Sequence, residues 1–134
     1  MNVLTIETRG PGLIEFTHEV RRFAEGHDGL CHLFVQHTSC SLLIQENADP
    51  DVRRDLHSFF RRFAPHVGQP GTEYITHRTE GPDDMPAHIK AAVLPVSLSI
   101  PVEDGALMLG TWQGIYLFEH RDKPHRRHVI MTLA

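Results

Sequence analysis

The chain of 134 residues lacks most of the features that announce a function. No apolar run approaches the roughly 20 residues a membrane-spanning helix needs, so no membrane partner is expected. Met1 to Gly10 has no basic stretch followed by an apolar one, so no signal peptide is expected and a cytoplasmic location is. There are only two cysteines, Cys31 and Cys40, without C-x-x-C spacing. They are too few for a disulfide framework and read as reduced thiols. G-x-G-x-x-G, the Walker P-loop, G-x-S-x-G and H-E-x-x-H are all missing, which removes the main support for dinucleotide, NTPase, esterase and zincin readings. Positive charge is also scarce: 13 Lys and Arg stand against 17 Asp and Glu, for a net charge of −4. A nucleic-acid partner needs a sustained basic field and is not expected.

What is abundant is histidine, with eleven residues. The charge of the chain near neutrality therefore rests on imidazoles, whose ordinary pKa is about 6.5. The length suits one domain spanning residues 1–134.

Val3 to Thr8 alternates as a strand and ends at Gly10-Pro11-Gly12. Leu13, Phe16, Val20 and Phe23 recur at helical spacing, with Gly26 as the stop. Cys31 to Gln36 and Ser41 to Gln45 read as strands. Asp49 as cap, Pro50 at the first helical position and the stripe Val52, Leu56, Phe59, Phe60, Phe63 then predict a helix that Pro65 stops. Arg53, Arg54, Arg61 and Arg62 fall off the stripe and read as a solvated face. Tyr74 to Thr76 is a candidate short strand, and Ala87 to Val93 a short helix. Strands follow at Val96–Val102, Leu107–Thr111, Ile115–His120 and His128–Leu133, the first two joined by an Asp104-Gly105 hairpin. With no helical crossovers between the late strands, the expected class is α+β: a mostly antiparallel sheet with two or three helices.

Reactive residues concentrate in three segments: His37 to Pro50, His77 to His88, and Gly110 to Arg121. His37, His77, His88 and His120 sit at or near element ends, where sites tend to be built. Imidazole nitrogen suits zinc, nickel, copper or iron, although the spacing fits no standard zinc motif. Each histidine also has a plain structural reading, such as His37 bonding a backbone group at a strand end. Asp83 and Asp84 either stabilise the start of a short helix or hold Mg²⁺. Cys40 reads as an inert buried thiol, since nothing near it lowers its pKa.

Together these segments resemble the YjbQ-like family, often labelled secondary thiamine-phosphate synthase. The likeness is carried by His37-Thr38-Ser39-Cys40-Ser41-Leu42, by Glu46-Asn47-Ala48-Asp49-Pro50-Asp51-Val52, by Glu80 through Lys90 and by Leu109 through Arg121. It covers nearly the whole chain in order. The resemblance implies a compact α+β homotrimer with a histidine cluster that binds a divalent metal, zinc-like rather than Mg²⁺. The implied metal ligands are His37, His77, His88 and His120. As an enzyme, a transferase, such a protein would join a pyrimidine pyrophosphate to a thiazole phosphate. Asp84, His88 and Arg121 would then be catalytic, with Arg121 clamping phosphate, and Asn47, Asp49, Thr111 and Gln113 would bind the phosphorylated ligand. The alternative is a non-catalytic trimeric protein that binds a metal or an anion.

Overall fold

β-Branched and aromatic alternation builds two antiparallel sheets in the computed structural model, which describes residues 1–134. In chain order the elements are β1 (Asn2–Glu7), β2 (Gly12–Glu15), α1 (Thr17–Ala24), β3 (Gly29–Val35), β4 (Cys40–Glu46), α2 (Pro50–Phe63), α3 (Asp84–Val93), β5 (Ser97–Glu103), β6 (Ala106–Leu107), β7 (Gln113–Glu119) and β8 (Arg126–Leu133). The larger sheet has the order β1-β8-β3-β5-β6 and the smaller β2-β7-β4. The α+β class and the antiparallel pairing are as the sequence indicates.

One core joins the two sheets. Ile6, Cys31, Leu33, Val35, Ile100, Val102, Val129 and Met131 come from the larger sheet; Cys40, Leu42, Ile115 and Leu117 come from the smaller. Phe16 at the head of α1, with Val20 and Ala24 from the helix, joins the same cluster. Every residue of β7 from Gly114 to Glu119 is buried, so its run Ile-Tyr-Leu-Phe needs no polar alternation. Its alternate face carries Tyr116 and Phe118. These meet α2, Phe60 edge-on to Phe118 at 5.6 Å and Arg53 bonded to the Tyr116 hydroxyl at 3.3 Å. Asp49 caps α2 as expected, its carboxylate accepting from the Asp51 amide at 2.9 Å.

Four local readings differ. Leu13 and Ile14 are not helical: they pair with Phe118 and Leu117 in β2–β7, and α1 begins only at Thr17. The helical spacing there is overridden by the gain from completing the smaller sheet. Leu107–Thr111 is a strand only at its first residue. Val102 pairs with Leu107, but at the next step Pro101 can accept from Met108 yet has no N–H to return. Tyr74–Thr76 forms turns rather than a strand, with the Ile75 amide bonded back to the Thr72 carbonyl at 3.1 Å. Finally, α3 starts three residues earlier than the composition suggests, at Asp84. The Asp104-Gly105 hairpin is present, both residues having positive φ (50° and 77°), as a tight primed turn requires.

Both cysteines are free and buried, and burial pushes the Cys40 thiol up to about 12, which makes it a poor nucleophile. No helix is long and apolar enough to cross a membrane.

Candidate metal centre

α3 and the loop before it build the most reactive corner of the molecule. Asp84 is the first residue of α3, and His88 lies one turn on, so both project on the same side. His77 reaches them from the loop between α2 and α3. His77 Nε2 is 2.7 Å and His88 Nε2 is 3.1 Å from the same oxygen of Asp84. One ligand atom from each residue lies within 4.8 Å of the others, close enough to share one ion. Asp84 is buried, whereas the His77 side chain is 43% exposed, so one side of the cluster is open to solvent.

The carboxylate is held from behind. Arg121, just past β7, sends Nε to Asp83 at 2.8 Å, Nη1 to the second Asp84 oxygen at 2.7 Å and Nη2 to the Glu80 carbonyl at 3.2 Å. Burial would raise the Asp84 carboxyl, but hydrogen bonding from His77, His88 and Arg121 outweighs it and holds the carboxyl below its ordinary range. Asp83 behaves alike: burial raises it, and bonds from Arg121 and the Asp122 amide bring it down. The neighbouring acids are thus ionised, one facing the histidines and one facing the arginine.

The protonation of His88 is constrained. Its Nδ1 lies 2.8 Å from the Thr38 carbonyl, which can only accept, so Nδ1 carries hydrogen. A neutral His88 then turns the lone pair of Nε2 toward the Asp84 carboxylate 3.1 Å away. Two lone pairs at that distance repel. A cation between them, or a proton on Nε2, resolves the conflict. A ring N–H donated to a backbone carbonyl is also the arrangement that commonly orients a metal-ligating histidine.

The structure divides the four expected histidines. His77 and His88 converge; His37 and His120 lie outside the cluster. His37 sits on the larger sheet, where Nε2 accepts from the His128 amide at 2.9 Å and the ring stacks on His128 at 5.9 Å. Burial, then the Arg127 charge, lowers its pKa. The backbone-bonded reading of His37 is the one realised. His120 is wholly interior, with Nε2 2.9 Å from the Ser41 hydroxyl and Nδ1 without a partner. Burial depresses it to about 3, so it stays neutral. Asp84 takes the third position of the cluster instead.

Arg121 requires a correction too. All three of its nitrogens face Asp83, Asp84 and Glu80, so it positions the carboxylates and is not free to clamp phosphate. Asn47, Asp49, Thr111 and Gln113 gather elsewhere. Asn47 donates from its amide to Glu15 and from its backbone to the Trp112 carbonyl, and Gln113 accepts from the Gly110 amide. They cluster where β7 starts, whereas Arg121 follows its end; six residues at about 3.3 Å each separate the two groups by about 20 Å. Within one chain, a small ligand does not touch both. Glu119, the acid within the apolar run of β7, pairs with Arg127 of β8, and that misplaced acid is the one signal of the pairing in the sequence.

An antiparallel two-sheet α+β domain with a His-Asp-His cluster at the head of its third helix is the class these features define. Within that class the chain belongs to the family described as UPF0047 protein YjbQ-like, which matches residues 2–134. It is 48% identical over 135 residues to UPF0047 protein sll1880 of Synechocystis, covering 98% of this chain and 89% of that one. It is 43% identical to UPF0047 protein YjbQ of Escherichia coli O157:H7, covering 97% and 92%. Among solved structures, the conserved hypothetical protein TT1486 of Thermus thermophilus superposes with a TM-score of 0.87 at 36% identity, covering all of both chains. A YjbQ/UPF0047 family protein of Clostridium acetobutylicum gives 0.88 at 36% identity, again over both full chains.

Proposed function

We propose that this protein binds one divalent transition-metal ion through His77, Asp84 and His88, and that its function is exercised at that ion. The observation that carries the reading is the convergence of three ligand atoms: His77 Nε2 at 2.7 Å and His88 Nε2 at 3.1 Å from one Asp84 oxygen, with His88 held from its other side by the Thr38 carbonyl. Two imidazoles and one carboxylate suit a zinc-like or iron-like ion better than Mg²⁺, which prefers oxygen ligands and its own waters. Three protein ligands with one open side would leave positions for water or substrate, which such an ion supplies as an activated nucleophile or a Lewis acid.

The geometry favours a binding or hydrolytic centre over the pyrimidine–thiazole coupling. That reaction needs a phosphate clamp at the site, and Arg121 is occupied by carboxylates. Self-association belongs to the same proposal. Phe59, Phe63, Tyr74, Met108 and Trp112 are all exposed, and a homotrimer would cover part of that apolar surface. A cytoplasmic location accords with the two unpaired cysteines.

The test is metal analysis of the purified protein, followed by zinc titration of the chelator-stripped form. The expected result is one ion per chain, lost in Asp84→Ala and His88→Ala, with light scattering giving three chains per particle. Stoichiometric binding that survives both substitutions would overturn the assignment.

A further inference from the structure

Arg127 leaves part of its hydrogen-bonding capacity unused inside the protein. A guanidinium offers five N–H hydrogens and no acceptor. Nε gives one to Glu119, and Nη2 gives its pair to Glu119 and to Ser39. Nη1 meets one group only, Nδ1 of His37 at 3.4 Å. The residue is 4% exposed, so little water reaches that nitrogen.

The Nη1 contact is not a hydrogen bond. His37 Nε2 lies 2.9 Å from the His128 backbone amide, and an amide N–H only donates. Nε2 therefore holds the lone pair, and the one hydrogen of the neutral ring sits on Nδ1. Nδ1–H and Nη1–H then face each other, two donors with no acceptor. Moving the hydrogen to Nε2 would exchange the conflict at 3.4 Å for a closer one at 2.9 Å. An imidazolium carries hydrogen on both nitrogens, so it would keep the first conflict and add the second. No protonation state of His37 satisfies both neighbours. Burial, then the Arg127 charge, favours the neutral ring.

A cleft of about 460 Å³ opens on these groups. Arg127, His37 and Ser39 line it together with Phe34 and Val96, and no acid does. The Ser39 oxygen accepts from Nη2, which leaves its own hydrogen free to donate. We propose that this cleft binds the carboxylate group of a small organic acid through Arg127 Nη1, His37 Nδ1 and the Ser39 hydroxyl. An acceptor oxygen beside Nη1 and Nδ1 takes a hydrogen from each and ends their conflict. A single negative charge fits better than a double one, because Glu119 already offsets the guanidinium charge. Phe34 and Val96, both exposed, offer an apolar bed for the body of the acid, which inorganic phosphate would not use. Thr38 also lines the cleft, and its carbonyl orients His88, so the site adjoins the metal cluster without sharing a ligand with it. The inference does not depend on a bound metal.

The experiment follows His37 by nitrogen NMR in the full chain labelled at histidine, before and after chelator treatment. The parent should show Nδ1 as the protonated nitrogen and Nε2 as the bare one. Butyrate added at constant ionic strength should shift both signals saturably, and calorimetry should count one butyrate per chain. Inorganic phosphate should bind at least tenfold more weakly. His37→Phe keeps a flat ring without a donor and should weaken butyrate binding about tenfold, as loss of a hydrogen bond to a charged group does. His37→Gln, whose amide accepts from the His128 amide and still donates to the ligand, should bind more tightly than His37→Phe. The proposal is overturned if the hydrogen sits on Nε2, if butyrate does not saturate, if phosphate binds as tightly, or if His37→Phe binds like the parent. Butyrate binding that vanishes with the metal would place the acid at the His-Asp-His cluster and overturn it equally. The tautomer and the titration are read on the parent, so they decide even where the Phe variant fails to fold.

Discussion

Arg127 and Glu119 face each other inside the protein, bonded through Nε to Oε1 at 2.8 Å and again through Nη2 to Oε2. The carboxylate is fully buried and the arginine 4% exposed. Thr8 donates to the same carboxylate at 2.7 Å, and Arg127 also reaches the Ser39 hydroxyl at 3.0 Å and the Ser39 carbonyl at 3.2 Å. Burial would raise the Glu119 carboxyl, but the bonds from Arg127 and Thr8 hold it below its usual range. The pair ties β7 of the smaller sheet to β8 of the larger and to the turn between β3 and β4.

Removing one partner leaves the other charge buried alone. Glu119→Ala should therefore cost about 3–5 kcal/mol of unfolding free energy in a urea titration. Replacing both residues with apolar side chains of similar volume should cost less than either single change. A loss under about 1 kcal/mol for Glu119→Ala would mean that water reaches Arg127 and the pair is not structural.

Gly114 is a second tight point, set by close approach rather than by backbone angle. A Cβ there would lie 2.6 Å from the Glu15 carboxylate and 3.0 Å from Cβ of Asn47. Gly114→Ala should destabilise by about 1–3 kcal/mol, as overpacking does. Because Glu15 also accepts from Thr17 at 2.7 Å, displacing it disturbs the start of α1. Shortening the obstacle in Gly114→Ala/Glu15→Ala should recover part of the loss relative to Glu15→Ala alone; no recovery in thermal melts would place the strain elsewhere.

These two sites show why some of the fold was legible in the sequence and some was not. The capping by Asp49 and Pro50, the Asp-Gly turn and the apolar run of β7 are local signals, and each specified its element. Leu13 and Ile14 fit a helical stripe equally well, and only the presence of β7 beside them decides for a strand. The site divides along the same line. His88 and Asp84 are four residues apart on one helix, so their convergence follows from spacing, with His77 seven residues before Asp84. His37 and His120 share the sequence context of those residues, but the sheets carry them to a backbone amide and to Ser41. Arg121 was legible as a site residue but not as the support of two aspartates, because nothing in its neighbourhood shows which way three donors point.

That supporting role has its own consequence. Arg121→Lys keeps the charge but loses the fork that grips Asp83 and Asp84 together. Zinc affinity should fall about 10- to 100-fold, the usual effect of disturbing a residue that orients a ligand, while stoichiometry stays the same. Asp84→Asn, which alters the ligand itself, should lose more. Equal affinity in Arg121→Lys and the parent would show that Asp84 is held adequately without the fork.

His120 predicts the response to acid. Its folded pKa of about 3 lies below its ordinary 6.5, so between these values the unfolded chain takes up a proton that the folded one refuses. Stability from this group is complete above 6.5 and declines as pH falls, by about 1.4 kcal/mol per unit in the middle of that window. His37 and His57, also lowered mainly by burial, act in the same direction. Asp83, Asp84 and Glu119 are depressed carboxyls, whose contributions are lost only as pH falls below ordinary values of 3.8 to 4.5. The interval from about pH 6 to 5 therefore isolates the histidines. His120→Gln keeps a polar group for Ser41 but cannot titrate, and its unfolding free energy should fall less steeply there, by about one proton's worth of slope. Parallel slopes for the two proteins would show that His120 protonates in the folded state at mild acidity, against its burial.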